Sequence, residues 1–185
     1  MSTLSVNTIT PQTGTTTTIN ANTVVASGKT FTAPGSVIQI VGNTNSTYNG
    51  GASAGLTRDD TIPQQSEVHM CVEVNITPRF ANSKLFIQAA IPGGHQNNTY
   101  SACCLFKDSG EAIQVMPHYF ASNGTEATWN LTHFMDAGST STATFKVGLG
   151  SNSGNIYQNG QNNGRKYGGA SASTIVIMEI AQWVH

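Results

Sequence analysis

Carboxylates carry much of the hydrolytic chemistry of proteins, and this chain holds only nine of them in 185 residues. A glycoside hydrolase needs two carboxyl groups facing one cleft, roughly 5–9.5 Å apart. Asp59 and Asp60 are adjacent in a polar loop, where neighbouring side chains diverge. Asp108 and Glu111 flank a predicted turn. These positions are typical of turn and solubility residues, so the sequence predicts no catalytic carboxylate pair.

The five histidines and three cysteines show no spacing typical of a metal site or of an activated nucleophile. No HExxH, GxSxG or GxxxxGK[ST] motif occurs, and the cysteines form no CxxC pair. We therefore expect no catalytic residue, no cofactor, no metal and no enzyme activity. Cys71, Cys103 and Cys104 are expected to be buried free thiols. His69 and His133 could meet across strands, and one alternative stays open, a metal on a threefold axis, for which one histidine per subunit would suffice.

Glu179 is the one carboxylate in an otherwise apolar segment near the end of the chain. An inward-facing carboxylate must be paired or hydrogen-bonded, because burying it alone is costly. We expect a structural ion pair with Arg79 or Lys84, or with a basic residue of another subunit.

Two long polar stretches, residues 42–65 and 150–169, combine Tyr, Asn, Gln and Gly. Adaptable binding loops have this composition, because tyrosine gives rigid contact area and amides give hydrogen bonds. Tyrosine rings also stack on sugars. The candidate ligand residues are Tyr48, Tyr157, Arg165 and Tyr167, and the alternative is two solvated loops without a ligand.

The elements that would position these residues are strands. Apolar side chains fall on every second residue from Val68 to Ile76, with His69, Cys71 and Glu73 between them. This period of two predicts a strand with one face on a core. Pro78 should end it, and Lys84 begins the next strand, so we predict an antiparallel pair. We expect the polar face of the first strand to be partly covered by a sheet edge, the N-terminal segment or another subunit.

Turn residues separate further alternating runs, and the Asn123-Gly124 pair is the strongest hairpin signal. No segment has a period of 3.6 residues. The pattern predicts an all-β, antiparallel, eight-stranded, jelly-roll-like sandwich over residues 36–185. The predicted strands are 36–41, 68–76, 84–91, 100–107, 111–121, 126–134, 142–149 and 173–184.

The last predicted strand is apolar on both faces, which is typical of a strand covered twice. In a monomer it would lie centrally in a sheet, and it would also suit a subunit interface. The candidate interface residues are Val176, Met178, Ile180 and Val184.

Residues 1–35 are rich in threonine and carry only scattered apolar side chains. Such a segment cannot bury enough apolar surface to fold alone. We predict an extended docking arm that adds to a partner, and the alternative is a flexible leader. The candidate anchoring residues are Leu4, Val6, Ile9, Ile19, Val24 and Phe31.

Charge and hydropathy exclude several partners. Charged residues make up 9% of the chain and the net charge is −1, so no field attracts nucleic acid. No apolar run is long enough to span a bilayer, and no signal peptide is visible at the N-terminus. We expect synthesis in a cytoplasm, with neither nucleic acid nor a membrane as partner.

Two segments carry a family resemblance: ITPRFANSKLFI (Ile76–Ile87) and STIVIMEIAQ (Ser173–Gln182). They resemble a module of virion structural proteins from tailed bacteriophages, particularly phages of cyanobacteria and marine bacteria. The opening STLSVNTITPQTGTTTTI and the later GKTFTAPGSVIQIV are similar to the leader of these proteins. The resemblance covers most of the chain. It implies a homotrimer with a jelly-roll-like head on the virion, made in the host bacterial cytoplasm, and it transfers no catalytic residue.

The absence of a repetitive shaft between leader and head leaves two roles open. One is a capsid decoration or cement protein, whose arm binds the major capsid protein. The other is a short tail fibre or tail-tip protein, whose arm binds tail proteins and whose loops contact a host surface receptor or glycan. The short chain favours the first role.

Overall fold

The computed structural model describes residues 33–52, 55–162 and 164–182. These residues form eight long strands and four short ones, with antiparallel pairing throughout the sheets. Two single 3-10 turns, Gln65–Glu67 and Tyr167–Gly169, are the helical elements in the described ranges. No helix in these ranges has the length and apolar character to cross a membrane. The strands are β1 Val37–Asn45, β2 Asn49–Ala52, β3 His69–Ile76, β4 Lys84–His95, β5 Thr99–Lys107, β6 Ala112–Phe120, β7 Glu126–Asp136, β8 Ala143–Ser151, β9 Ile156–Gln158, β10 Gly160–Gln161, β11 Gly164–Arg165 and β12 Ser173–Ile180.

The eight long strands form two sheets with the strand order of a jelly roll. Sheet A runs β1-β12-β4-β7, and sheet B runs β3-β8-β5-β6. Beyond the first residue of β12, the short strands β9 and β2 continue sheet A beside the last residues of β4. The chain thus crosses repeatedly from one sheet to the other, as in two Greek keys. The predicted all-β, antiparallel sandwich is confirmed.

The core lies between the two sheets. Leu85 and Ile87 of β4 and Ile177 of β12 face Phe145 and Leu149 of β8, and all five are fully buried. Burying one such side chain stabilises the fold by roughly 1.5–3 kcal/mol. Strand β12 pairs with β1 on one side and β4 on the other, so it lies centrally in its sheet, as the doubly apolar pattern predicted. It ends at Ile180, before the predicted end at Val184.

The prediction that β3 and β4 pair with each other is wrong. Strand β3 pairs with β8 in sheet B, whereas β4 pairs with β12 and β7 in sheet A. The segment 77–83 therefore crosses between the sheets instead of closing a hairpin. The same correction applies to Asn123-Gly124: Gly124 has a φ of 71°, as a turn requires, but it joins β6 of sheet B to β7 of sheet A.

A β-bulge between Met70 and Val72 breaks the simple alternation along β3. Bulges shift which side chains face inward. As a result Cys71 and Val72 both join the core, while Met70 packs with Val68 on the outer face of sheet B. The polar face of β3 is therefore covered at Cys71 by its own core, and Glu73 remains exposed.

All three cysteines are free and buried, as expected. Burial raises the pKa of the Cys71 thiol to about 12, and it raises the pKa of Cys104 to about 12 as well. Burial also raises the pKa of Cys103 well above its ordinary value. Thiols in this state are poor nucleophiles, because the thiolate is the reactive form.

Glu179 points inward from β12 and is fully buried. Its carboxylate accepts hydrogen bonds from the Ser83 hydroxyl at 2.6 Å, the Gln39 amide at 2.6 Å, and the backbone N–H groups of Arg79 and Phe80 at 2.9 and 3.1 Å. The crossing segment 77–83 thus wraps around this carboxylate, and we call this arrangement the Glu179 latch. Burial raises the pKa of Glu179, but these hydrogen bonds outweigh it and hold the pKa below its ordinary value.

The expected ion pair of Glu179 with Lys84 is wrong, because Lys84 pairs with Asp136 on the neighbouring strand β7. Arg79 reaches Glu179 through its backbone N–H, since the crossing segment turns its main chain towards β12. The two segments that carried the family resemblance therefore meet at the latch, one supplying donors and the other the carboxylate.

The first and last described residues of the domain lie side by side. Gly35 N–H donates to the Ala181 carbonyl at 2.8 Å, and Ala181 N–H donates to the Ser36 carbonyl at 2.9 Å. The docking-arm residues Leu4, Val6, Ile9, Ile19, Val24 and Phe31 lie outside the described residues, and so does Val184. The boundary between arm and head stays a prediction.

Candidate functional sites

The predicted ligand loop at 150–169 is largely an ordered extension of sheet A. Strand β9 pairs with both β2 and the end of β4, while β10 and β11 form a small ladder of their own. At least one of its glycines allows close packing, since a Cβ added at Gly160 would lie 2.7 Å from the Tyr48 ring.

A buried network of amides supports this extension. Asn159 Nδ2 donates to the carbonyls of Asn45 and Thr47, at 2.7 and 2.9 Å. Ser173 Oγ donates to Asn159 Oδ1 at 2.9 Å, and Gln158 Nε2 donates to the Cys71 carbonyl at 2.9 Å. Every one of these buried side chains has a partner, which is what burying an amide requires. The network fixes where the neighbouring tyrosines lie.

Two of the four predicted ligand residues are structural. Tyr157 is 3% exposed, and its hydroxyl donates to Asn162 Oδ1 at 2.9 Å. The Tyr48 hydroxyl donates to the Gln161 carbonyl at 2.8 Å, and burial together with the nearby Tyr157 raises the Tyr48 pKa. The Tyr157 ring is therefore closed to a ligand, and the Tyr48 ring is half-buried against the extension. Sequence composition could not separate packed from exposed tyrosines.

Tyr167 and Arg165 are exposed, and Tyr167 lies beside a cleft. The Tyr167 side chain is 80% exposed, and its φ of 51° is uncommon for a residue with a Cβ. The cleft has a volume of about 340 Å³ and is open to solvent. Its polar lining includes Glu126, Thr128, Lys166 and Ser171. An exposed ring next to hydroxyl, carboxylate and ammonium groups is able to bind a polar ligand such as a sugar.

The outer face of sheet A carries a row of apolar side chains across four strands. Ile40 lies opposite Met178, Met178 opposite Phe86, and Phe86 opposite Phe134. Ile40 is 59% exposed and Phe134 is 56% exposed. With strands about 4.8 Å apart, the row is about 14 Å long. We call these four residues the apolar row.

Three of the four predicted interface residues lie on this same outer face. Val176, Met178 and Ile180 are half-buried within the chain, and Met178 belongs to the apolar row. Val37, which lies opposite Ile180, adds another half-exposed side chain. Sequence reasoning missed Ile40, Phe86 and Phe134, because each belongs to a different strand and only the sheet register brings them together.

The histidines do not converge on a metal. His69 Nε2 lies 3.1 Å from Gln158 Oε1 and 3.0 Å from Asn49 Nδ2, beside the amide network. His133 Nδ1 lies 3.3 Å from Gln114 Oε1, at the opposite side of the sandwich where β7 approaches β6. Within the described ranges, no three His, Cys, Asp or Glu side chains are grouped as metal ligands. The suggestion that His69 and His133 meet across strands is wrong.

The strand order defines the class: a jelly-roll β-sandwich, with an open cleft beside Tyr167 and an apolar outer face on sheet A. No protein-family model matches the chain, and no curated protein matches its sequence. A chain in the structure of infectious bursal disease virus, Gx strain, aligns over 88% of this chain and 42% of its own length. The TM-score is 0.37 and the identity 11%, a similarity that carries no argument about function.

Proposed function

We propose that this chain is a non-enzymatic virion surface protein, a homotrimeric capsid decoration or cement protein whose N-terminal arm anchors it to the particle. The observation that carries the proposal is the apolar row on the outer face of sheet A. A protein with so few charges and such an exposed apolar face gains by burying that face against another surface. A protein that binds only the assembled particle stabilises it by mass action.

Copies of the same chain are the proposed occupants of the outer face of sheet A. Interfaces between identical subunits are richer in apolar area than other surfaces. The face also contains the residues that the sequence predicted for a subunit contact, Val176, Met178 and Ile180. Lys84 and Asp136 neutralise each other at one margin of the face, so no unpaired charge from this pair opposes the contact.

Replacing Phe134 by glutamate is expected to convert the trimer to monomers, because three added carboxylates would be buried without partners. Light scattering after size-exclusion chromatography measures the mass directly. Ile62→Glu is the matched control, since Ile62 is 50% exposed but lies outside the outer face of sheet A. A wild-type chain that is monomeric at high concentration, or a Phe134→Glu variant that keeps the trimer mass, would count against the interface.

The position of the protein on the particle tests the proposed role itself. A gold-labelled antibody or a fused marker, viewed by electron microscopy, is expected at many sites across the capsid. Label restricted to a few copies at the tail would contradict decoration and support the second role. No label on virions would contradict both roles.

The second role is a short tail fibre or tail-tip protein that binds a host surface glycan. The cleft beside Tyr167 favours it, because an exposed ring and several hydrogen-bonding groups line about 340 Å³ of open space. Arg165 is exposed two residues before Tyr167, whereas the hydroxyls of Tyr48 and Tyr157 bind Gln161 and Asn162 within the fold.

If the cleft binds a host glycan, Tyr167→Ala is expected to weaken adsorption of the purified protein to host cells by about tenfold, the loss of about 1.4 kcal/mol. Competition with infecting phage measures the effect. Phe80→Ala provides the control, because Phe80 is also exposed (44%) but does not line this cleft. Equal adsorption by both variants would remove the cleft from consideration.

A further inference from the structure

A second cleft lies on the outer face of sheet B, away from Tyr167 and from the apolar row. Its floor is apolar and consists of Leu56, Ala102, Val115 and Pro117. Its volume of about 270 Å³ is just below the range of about 300–1,000 Å³ that is usual for small-molecule sites. A single sugar ring or one large side chain fits this space, and a nucleotide cofactor does not.

One wall of this cleft is formed by Arg58 packed over the ring of Tyr100. The Arg58 guanidinium carbon lies 3.8 Å from the centre of the Tyr100 ring, and the Tyr119 ring lies 4.7 Å from Tyr100 on the neighbouring strand. Stacking an arginine on an aromatic ring holds the guanidinium plane and leaves its N–H groups available at the edge. Within the described ranges no hydrogen bond or ion pair engages the Arg58 guanidinium.

Backbone hydrogen bonds fix the segment that forms the other wall. Leu56 N–H donates to the Ser151 carbonyl at 3.1 Å at one end, and Ala112 N–H donates to the Pro63 carbonyl at 2.9 Å at the other. Asn152 N–H donates to the Tyr100 carbonyl at 3.0 Å, which fixes the third side. The cleft is therefore formed before any ligand arrives, which lowers the entropy cost of binding.

The polar rim offers donors and acceptors side by side. Arg58 supplies donors, while the adjacent Asp59 supplies carboxylate acceptors, and the Asn152 amide and Thr57 hydroxyl supply both. The Thr61 hydroxyl and N–H bind Asp59 Oδ1 at 2.5 and 2.8 Å, which lowers the Asp59 pKa and keeps the group ionised near neutral pH. An anionic ligand would meet this carboxylate, and a cationic ligand would meet Arg58. Hydroxyl groups both donate and accept, so they match the rim.

We propose that the Arg58–Tyr100 cleft binds one ring of a neutral saccharide, whose C–H face lies on the apolar floor and whose hydroxyls meet Arg58, Asp59 and Asn152. The site is independent of the proposed trimer and of the Tyr167 cleft. It gives the protein a contact for surface polysaccharide in either virion role.

Nuclear magnetic resonance titration of the full chain tests this site. The probes are methyl glucopyranoside, methyl galactopyranoside and N-acetylglucosamine, with glucuronate as the anionic comparison. At least one neutral probe is expected to bind with a Kd on the order of 1 mM and to shift the resonances of Tyr100 and Ala102. Glucuronate is expected to bind no more tightly than methyl glucopyranoside.

Arg58→Ala is expected to weaken the binding of that probe at least tenfold, and Thr57→Val, which keeps the shape of the side chain, severalfold. Arg165→Ala is the matched control and is expected to bind as the wild type does. The site is overturned if no neutral probe shifts these resonances, if Arg58→Ala binds as well as the wild type, or if the shifts fall at Tyr167. None of these results bears on the mass of the trimer, so this site and the proposed function are tested separately.

Discussion

Glu179→Ala is expected to lower the free energy of unfolding by about 3–5 kcal/mol, because four donors around the carboxylate lose their acceptor. Each buried donor without a partner costs about 1–3 kcal/mol. The donors are the Ser83 hydroxyl, the Gln39 amide and the N–H groups of Arg79 and Phe80. The Ser83 hydroxyl and the Gln39 amide keep a second acceptor each, so most of the loss comes from the two backbone N–H groups. For a domain of this size the loss corresponds to a decrease in Tm of about 10 °C. Urea unfolding followed by circular dichroism measures it.

Glu179→Gln keeps the shape of the side chain and tests the charge. An amide has one acceptor oxygen, and its nitrogen would face donors, so a loss of about 2–3 kcal/mol is expected. Glu73→Gln is the control, because Glu73 is exposed and such surface changes remain within about 0.5 kcal/mol. If Glu179→Gln is as stable as Glu73→Gln, the latch does not contribute to folding.

The dependence of stability on acid pH distinguishes the Glu179 latch from other contributions to stability. The Glu179 pKa is lower in the folded protein than its ordinary value of 4.5. The stabilisation from the Glu179 carboxylate is therefore complete above about pH 4.5, and it decreases as the pH falls from there through the pKa of the folded protein. Tm measured between neutral and acid pH is expected to decrease more steeply for the wild type than for Glu179→Gln. Parallel curves for the two proteins would show that the carboxylate is not the group that titrates.

Gly93→Ala is the second change with a large expected effect, a loss of about 2–4 kcal/mol from overpacking and broken hydrogen bonds. An added Cβ at Gly93 would lie 2.2 Å from the Tyr157 carbonyl oxygen. Because this contact is with backbone, β9 must move away from β4. Asn159 N–H, which donates to the Pro92 carbonyl at 2.9 Å, would move with it and disturb the amide network.

Thermal unfolding and amide hydrogen exchange measure this effect. Faster exchange is expected first at Gln158 and Asn159, because they lie next to the displaced strand. Gly55→Ala is the matched control, since a Cβ there has no atom within 4 Å and the change should be neutral or slightly stabilising. A Gly93→Ala protein with wild-type stability and exchange would mean that β9 adapts without cost.

The fold class could be predicted from the sequence because alternation and turn residues are local signals. Strand partners could not, since pairing depends on which side of the sandwich a connection leads to. Pro78 correctly marked the end of β3, but only the donors around Glu179 explain why the next strand lies in the opposite sheet. The bulge at Met70 likewise changes which side chains of β3 face the core. No local sequence signal marks it, because one extra residue leaves the composition unchanged.

The candidate sites could be predicted less well than the fold. Tyr48 and Tyr167 have similar sequence surroundings, rich in Asn and Gly, yet one is packed and the other is 80% exposed. The difference arises from the β2–β9 pairing, which is a long-range contact. Val176, Met178 and Ile180 could be found because a doubly apolar strand is a local pattern. The contact of Arg58 with the Tyr100 ring joins residues 42 positions apart, and no local sequence pattern predicts it.

The hydrogen bonds between Gly35 and Ala181 and between Ala181 and Ser36 also determine how the domain responds to force. Strands β1 and β12 are antiparallel neighbours, and residues 33 and 182 lie at the same end of that pair. A pull that separates these two points loads one backbone hydrogen bond at a time and peels β1 from β12. The domain is thus mechanically weak when it is pulled apart at these two points, because the hydrogen bonds of the pair break in sequence.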